Sequence, residues 1–146
     1  MKREIALKHE FVEFIPEELA HGTIYVSIRF ATASHLCLCG CGSKVVTPIR
    51  PTDWTLIFDG KTISLDPSIG NWSFPCQSHY WIRKDRVKWA PKWSEEQIER
   101  GRARDLHAKQ SYFSSQDDGG DKVAADVVAT KSEKSRASFW RKLKWW

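Results

Sequence analysis

The cysteine run Cys37-Leu-Cys-Gly-Cys-Gly42, answered further along by Cys76-Gln-Ser-His79, constrains this chain more than any other feature. Four cysteines grouped as three plus one suit a bound ion better than a disulfide framework in a reducing cytoplasm. Gly40 and Gly42 let the backbone fold tightly, with amide N–H groups free to bond thiolate sulfurs. A four-coordinate site then needs a distant contribution, which Cys76 and His79 supply with a two-residue spacing common in structural zinc sites. Five side chains compete for four positions. The reading favours Cys39, Cys41, Cys76 and His79 around Zn2+, with Cys37 as first substitute. The competing reading is a group of buried reduced cysteines beside a core histidine. A thiolate-rich set argues for a structural ion, because catalytic zinc keeps an open position and draws on histidine and carboxylate. His35, two residues before the cluster, is an outer partner, a fifth ligand or a general base, or simply closes a strand.

The rest of the chain reads as α+β: a small, mainly antiparallel β domain of hairpins around the zinc site, with a C-terminal helix or helices. Ile24, Val26, Ile28 and Phe30 alternate with Tyr25, Ser27 and Arg29 as a half-buried strand requires. Trp54, Leu56 and Phe58 lead into Asp59-Gly60, a two-residue hairpin turn, and Thr62 to Leu65 runs back. Tyr80 and Ile82, then Val87 and Trp89, flank Lys84-Asp85 as a second hairpin. Pro16-Glu-Glu-Leu19 suggests one short helical turn. Ser94-Glu-Glu-Gln97 has the form of a capping box and opens a polar helix. The expected organisation is a zinc-binding domain over residues 1–92, a helical extension over 93–110, a flexible linker over 111–131 and an amphipathic basic and aromatic helix over 132–146. That last helix would dock on the body or a partner, or rest weakly on a membrane surface.

The charge of +5 is spread over both halves of the chain, so no polybasic tail advertises nucleic acid. No apolar run is long enough to span a membrane, and a soluble cytoplasmic protein is expected. Eight tryptophans in 146 residues imply surfaces that meet something. Basic and aromatic residues interleave from Tyr80 to Trp89, a pattern suited either to stacking on nucleic acid or to a hairpin with one solvated face. The segment Ser64-Leu-Asp-Pro-Ser-Ile-Gly-Asn-Trp72 reads as a turn presenting short polar side chains. A serine nucleophile would need a histidine base and a carboxylate. Ser68 or Ser78, with His79 or His35 and one of Asp53, Asp59 or Asp66, supplies the residue types. Ser78 and His79, adjacent on a strand, would point to opposite faces.

The strings His35-Leu-Cys-Leu-Cys-Gly-Cys-Gly42, Ser64-Leu-Asp-Pro-Ser-Ile-Gly-Asn-Trp72 and Cys76-Gln-Ser-His-Tyr-Trp-Ile82, with Trp54 between them, resemble a bacterial family of small proteins known as a domain of unknown function. The resemblance covers roughly residues 5–92. It implies genes encoded beside multi-ubiquitin-like proteins, ThiF-type E1-like adenylyltransferases and E2-like proteins, hence a bacterial ubiquitin-like conjugation pathway, some of which serve anti-phage defence. The leading expectation is a zinc-binding adaptor for the ubiquitin-like modifier, the E2-like protein or a target. The alternative is a peptidase that processes or removes the modifier, using Ser68 or Ser78 with His79 or His35. A nucleic-acid-binding zinc domain ranks last.

Overall fold

The structure is a computed structural model that describes the backbone of residues 3–120 and the side chains of residues 3–116. Eight strands precede one helix: β1 Lys8–Phe11, β2 Thr23–Ser27, β3 Thr32–Leu36, β4 Lys44–Pro48, β5 Thr55–Phe58, β6 Ile63–Gly70, β7 His79–Arg83, β8 Arg86–Trp89 and α1 Glu95–Gly120. The strands form two four-stranded sheets in chain order, β1-β2-β3-β4 and β5-β6-β7-β8. Every pairing is antiparallel except β1 with β2. Isolated bridges, Ala6 with Arg86 and Ile49 with Trp54, stitch the sheets together at both seams.

The inner faces share one core. Ile24, Val26, Ala33 and Val45 from the first sheet meet Ile63, Leu65, Ile69, Tyr80 and Ile82 from the second. Period-two alternation therefore assigns the other face of β6 and β7. Inward Ile69, Tyr80 and Ile82 leave Ser68, Gly70, His79 and Trp81 on the outer face of the second sheet. Both expected hairpins of this sheet form, and Lys84 and Asp85 take the positive φ values (48° and 57°) that a type I′ turn demands.

Several expectations are corrected. The strand expected to run to Phe30 ends at Ser27. Ala31, at φ 47°, closes a turn in which its N–H bonds Ile28 O, leaving Ile28 and Phe30 exposed. Pro16 to Leu19 forms bends rather than a helical turn. The presumed turn at Ser64 to Trp72 is mostly strand: β6 continues through Gly70 by absorbing extra residues in a bulge. The helix does begin at a capping box, with Ser94 and Gln97 exchanging bonds of 2.9 and 3.3 Å. It continues to Gly120, so residues 111–120 are helical where a linker was expected. There Ser114 and Ser115 return their hydroxyls to carbonyls three residues back, and Gln116 bonds the Tyr112 hydroxyl one turn earlier. The chain divides into two units, with the boundary after Asp105. The helix expected over 132–146 lies outside the described residues. None of the described helix is long and apolar enough to cross a membrane.

Candidate active site

Cys37, Cys39, Cys41 and Cys76 place their sulfurs within 4.8 Å of one another. All four cysteines are free thiols. Separations of 3.4 Å (Cys37 to Cys39), 3.9 Å (Cys37 to Cys76) and 3.7 Å (Cys41 to Cys76) are far too long for a disulfide. They match the edge of a tetrahedron with arms of about 2.3 Å, which is roughly 3.8 Å. The donor set fits a four-coordinate metal ion.

Its local causes are visible in the chain. Gly40 and Gly42 adopt φ 90° and 81°, turning the backbone between thiols. Cys37 N bonds Ser43 O at 2.7 Å and closes the loop. Opposite, Gln77 at φ 44° curls the chain so that Cys76 faces the cluster. Ser78 Oγ lies 3.0 Å from Cys37 Sγ and accepts from Asn71 Nδ2 at 2.9 Å, so hydroxyl and amide brace the buried sulfur. Burial raises the Cys37 and Cys39 thiols above their ordinary range. At Cys41 burial also pushes upward, yet hydrogen bonds from Ser43, Cys39 and Cys76 together outweigh it and bring that thiol to about 6. Ionising all four together requires a cation.

His79 does not join this cluster. The group that could hold an ion consists of the four cysteines, with the expected substitute Cys37 among them and His79 not. The reason is strand alternation: Ser78 turns toward the sulfurs, so its neighbour His79 must face the opposite side of the sheet. There His79 Nε2 lies 2.9 Å from Ser68 Oγ. With the proton on Nδ1, the Ser68 hydroxyl donates to Nε2, the geometry of an activated nucleophile.

The pairing depends on the bulge in β6. Leu65 pairs with Ile82, but the next pairs are Ile69 with Tyr80 and Gly70 with His79. This shift carries Ser68 to the diagonal neighbour of His79. Arg83 holds the bulge open from the adjoining strand, donating to Leu65 O and to Asp66 Oδ1, each at 2.7 Å.

Indoles surround the imidazole. Trp72, Trp81 and Trp93 have ring centroids 4.9, 5.4 and 4.7 Å from that of His79, and Trp93 stacks on Trp72 at 5.2 Å. His79 is 4% exposed, and burial lowers its pKa below the ordinary 6.5, so it stays neutral and able to accept a proton. Its Nδ1 is buried with no hydrogen-bond partner among the described residues. None of the carboxylates considered from sequence reaches it. Asp66 pairs with Arg83, Asp59 caps its own turn through Thr62, and Asp53 takes a bond from Thr52. The arrangement is a serine-histidine dyad whose ring is held by packing.

Gly70 makes that packing possible. A Cβ there would meet the Trp72 ring at 2.5 Å, so only glycine lets the indole lie across the strand. Gly70→Ala is expected to displace Trp72 and, through it, His79, and, if the dyad proves catalytic, to lower kcat/KM by about 10–100-fold while the fold is retained. Steady-state kinetics beside a thermal melt checks this.

His35 plays a different part. Its Nε2 lies 2.8 Å from the Tyr80 hydroxyl across the core, and burial holds its pKa down at about 4. No hydrogen bond joins it to Ser68 or Ser78. The basic hairpin also spends its aromatics internally: Trp89 packs on Tyr80 and donates to Glu4 O, and Trp81 flanks His79. That leaves little of a stacking platform for nucleic acid.

A family model described as "Bacterial ubiquitination-like system serine protease (BubE)" matches residues 11–90. The chain belongs to the BubE family. The matched region contains both members of the dyad and all four cysteines. Trp93, which completes the aromatic wall, falls just beyond it. Neither the curated proteins nor the solved structures provide a match.

Proposed function

We propose that this protein is a serine-type hydrolase of a bacterial ubiquitination-like system, cleaving an acyl bond at the C-terminal end of a ubiquitin-like modifier. One observation carries the reading: the 2.9 Å contact between Ser68 Oγ and His79 Nε2. Membership of a family described by serine protease activity supports it. In this mechanism Ser68 Oγ attacks the carbonyl while His79 Nε2 takes its proton. His79 then protonates the leaving nitrogen, and water hydrolyses the acyl-serine by the same proton route in reverse.

Cys37, Cys39, Cys41 and Cys76 would hold Zn2+ in a structural role. Four thiolates leave no position open for substrate. Held there, the ion would fix the loop from Asn71 to Ser78, which leads directly into β7 at His79.

The adaptor reading retains one favourable observation, the exposed aromatics Phe14 and Phe30 grouped around Arg29. One incubation separates the two. Purified protein mixed with the ubiquitin-like precursor encoded beside it should release the processed modifier. A stable complex with the E2-like protein and an uncleaved precursor would overturn the hydrolase.

A further inference from the structure

Strand β6 is partnered unevenly. On one side β5 pairs with it only from Ile63 to Asp66. On the other, β7 pairs with Leu65 and then with Ile69 and Gly70. Pro67 and Ser68 therefore have no ladder partner on either side, and beyond Asp66 the flank that β5 would occupy carries no strand among the described residues. The chain preceding β5 is committed elsewhere. Trp54 N bonds Pro48 O at 3.1 Å, Arg50 N bonds Trp54 O at 3.2 Å, and Asp53 N bonds Arg50 O at 3.0 Å.

The direction of the free backbone groups follows from the ladder. Asn71 N bonds Ser78 O at 2.8 Å, which makes these two a hydrogen-bonded pair. In an antiparallel ladder such pairs alternate with non-bonded ones. Ile69 with Tyr80 is then the next bonded pair, while Gly70 turns its N–H and C=O away from β7 toward the open flank. No backbone bond joins Ser68 or Gly70 to another segment on that side among the described residues. Both residues are only half-buried. The nucleophile thus stands at the start of a short sheet edge with an unused donor and acceptor two residues away. Exposed edges normally invite unwanted pairing, and proteins keep them short or blunt them with proline. This one is short, begins at Pro67 and adjoins the dyad.

Resting on the hydrolase reading, we infer that the substrate's acyl-side tail adds as an extended strand to this open edge of β6, pairing its main chain with Gly70 and so delivering its scissile carbonyl to Ser68. The ligand is an unfolded polypeptide segment recognised through its backbone, the mode in which main-chain bonds supply affinity and side chains only tune it. Small activated esters would react without needing the edge. A peptide unable to donate or accept opposite Gly70 would not be positioned.

The test is a backbone scan of a peptide corresponding to the modifier's C-terminal tail, cleaved by the full-length protein. Each non-scissile amide is replaced in turn by an N-methyl amide and, in a second series, by an ester, which removes the donor without adding bulk. The expected result is a loss of kcat/KM of about tenfold or more at the position opposite Gly70, with adjacent positions little affected, because strand pairing has a period of two. In parallel, Ser68 is labelled with a small fluorophosphonate. Labelled Ser68 with a flat scan overturns the edge proposal alone. Absence of labelling and of cleavage overturns the hydrolase reading on which it rests.

Discussion

Ser68→Ala should lower the rate of modifier cleavage by a factor on the order of 10^4, and His79→Ala should cost nearly as much. The double variant should be no worse than either single one. The two side chains act as a unit: without the hydroxyl there is no nucleophile for the imidazole to activate, and without the imidazole the hydroxyl keeps its proton. A merely structural hydrogen bond would behave differently, giving small effects and residual activity in each variant. Ser68 is half-buried in a strand anchored by Leu65 and Ile69, so its loss should leave the melting temperature within a few degrees of the parent. The pH profile adds an independent readout. Burial depresses the His79 pKa, so the neutral base persists through neutrality and kcat/KM should stay level from about pH 8 downward. It should fall only as pH drops below the ordinary histidine value of 6.5, when protonation removes the acceptor. A profile already falling at neutral pH would contradict a desolvated base. The aromatic wall makes this base unusual. Catalytic histidines are ordinarily held in one tautomer by a carboxylate on Nδ1, and mis-set tautomers are costly. Here Trp72, Trp81 and Trp93 fix the ring plane, leaving the tautomer to be set by the Ser68 hydroxyl on Nε2.

Which parts were legible in the chain follows from how local their causes are. The hairpin turns and the Ser94 capping box act over a few residues, and both hairpins and the helix start formed. The first hairpin, however, turns at Gly60-Lys61, one residue later than the expected Asp59-Gly60, because Asp59 N bonds Thr62 O and only Gly60 takes a positive φ there. β3 and β4 were hidden because Thr-Ala-Ser-His-Leu is buried through small and polar side chains and lacks apolar alternation. Ser68 and His79 were both candidates. Their pairing was invisible because it depends on a register shift in β6, and spacing along one strand says nothing about the offset to its partner. The same gap left His79 open as either ligand or base, since a histidine three positions after a cysteine reads as a ligand until its strand face is known. Trp93 was not singled out at all. Trp93 did carry a signal. It precedes the N-cap Ser94 and is followed five residues later by Ile98, the spacing of a hydrophobic staple, and Ile98 is 6% exposed.

Cys37→Ser should strip the protein of metal and unfold the domain. Cys37 is the most enclosed of the four cysteines, 1% exposed at the end of β3, and it touches Cys39, Cys76, Ser78 and, at 3.8 Å, Asn71. Structural zinc sites contribute roughly 10 kcal/mol or more, which rivals the whole stability of a domain this size, about 5–15 kcal/mol. Elemental analysis of the parent should find about one zinc per chain, and the variant close to none, with a melting temperature lower by tens of degrees or no cooperative melt. A parent without zinc, together with unchanged folding in Cys39→Ser plus Cys76→Ser, would reduce the cluster to crowded thiols. The role of the ion can be separated from its presence. Chelation should abolish cleavage only as fast as the domain loses structure, because Cys76 and His79 share one short segment and the ion has no position left for substrate. Refolding with cadmium, which also takes four thiolates, should then restore both the melt and the activity. A catalytic metal would respond otherwise: chelation would stop turnover in a protein that is still folded, and the substitute ion would change the rate rather than reproduce it.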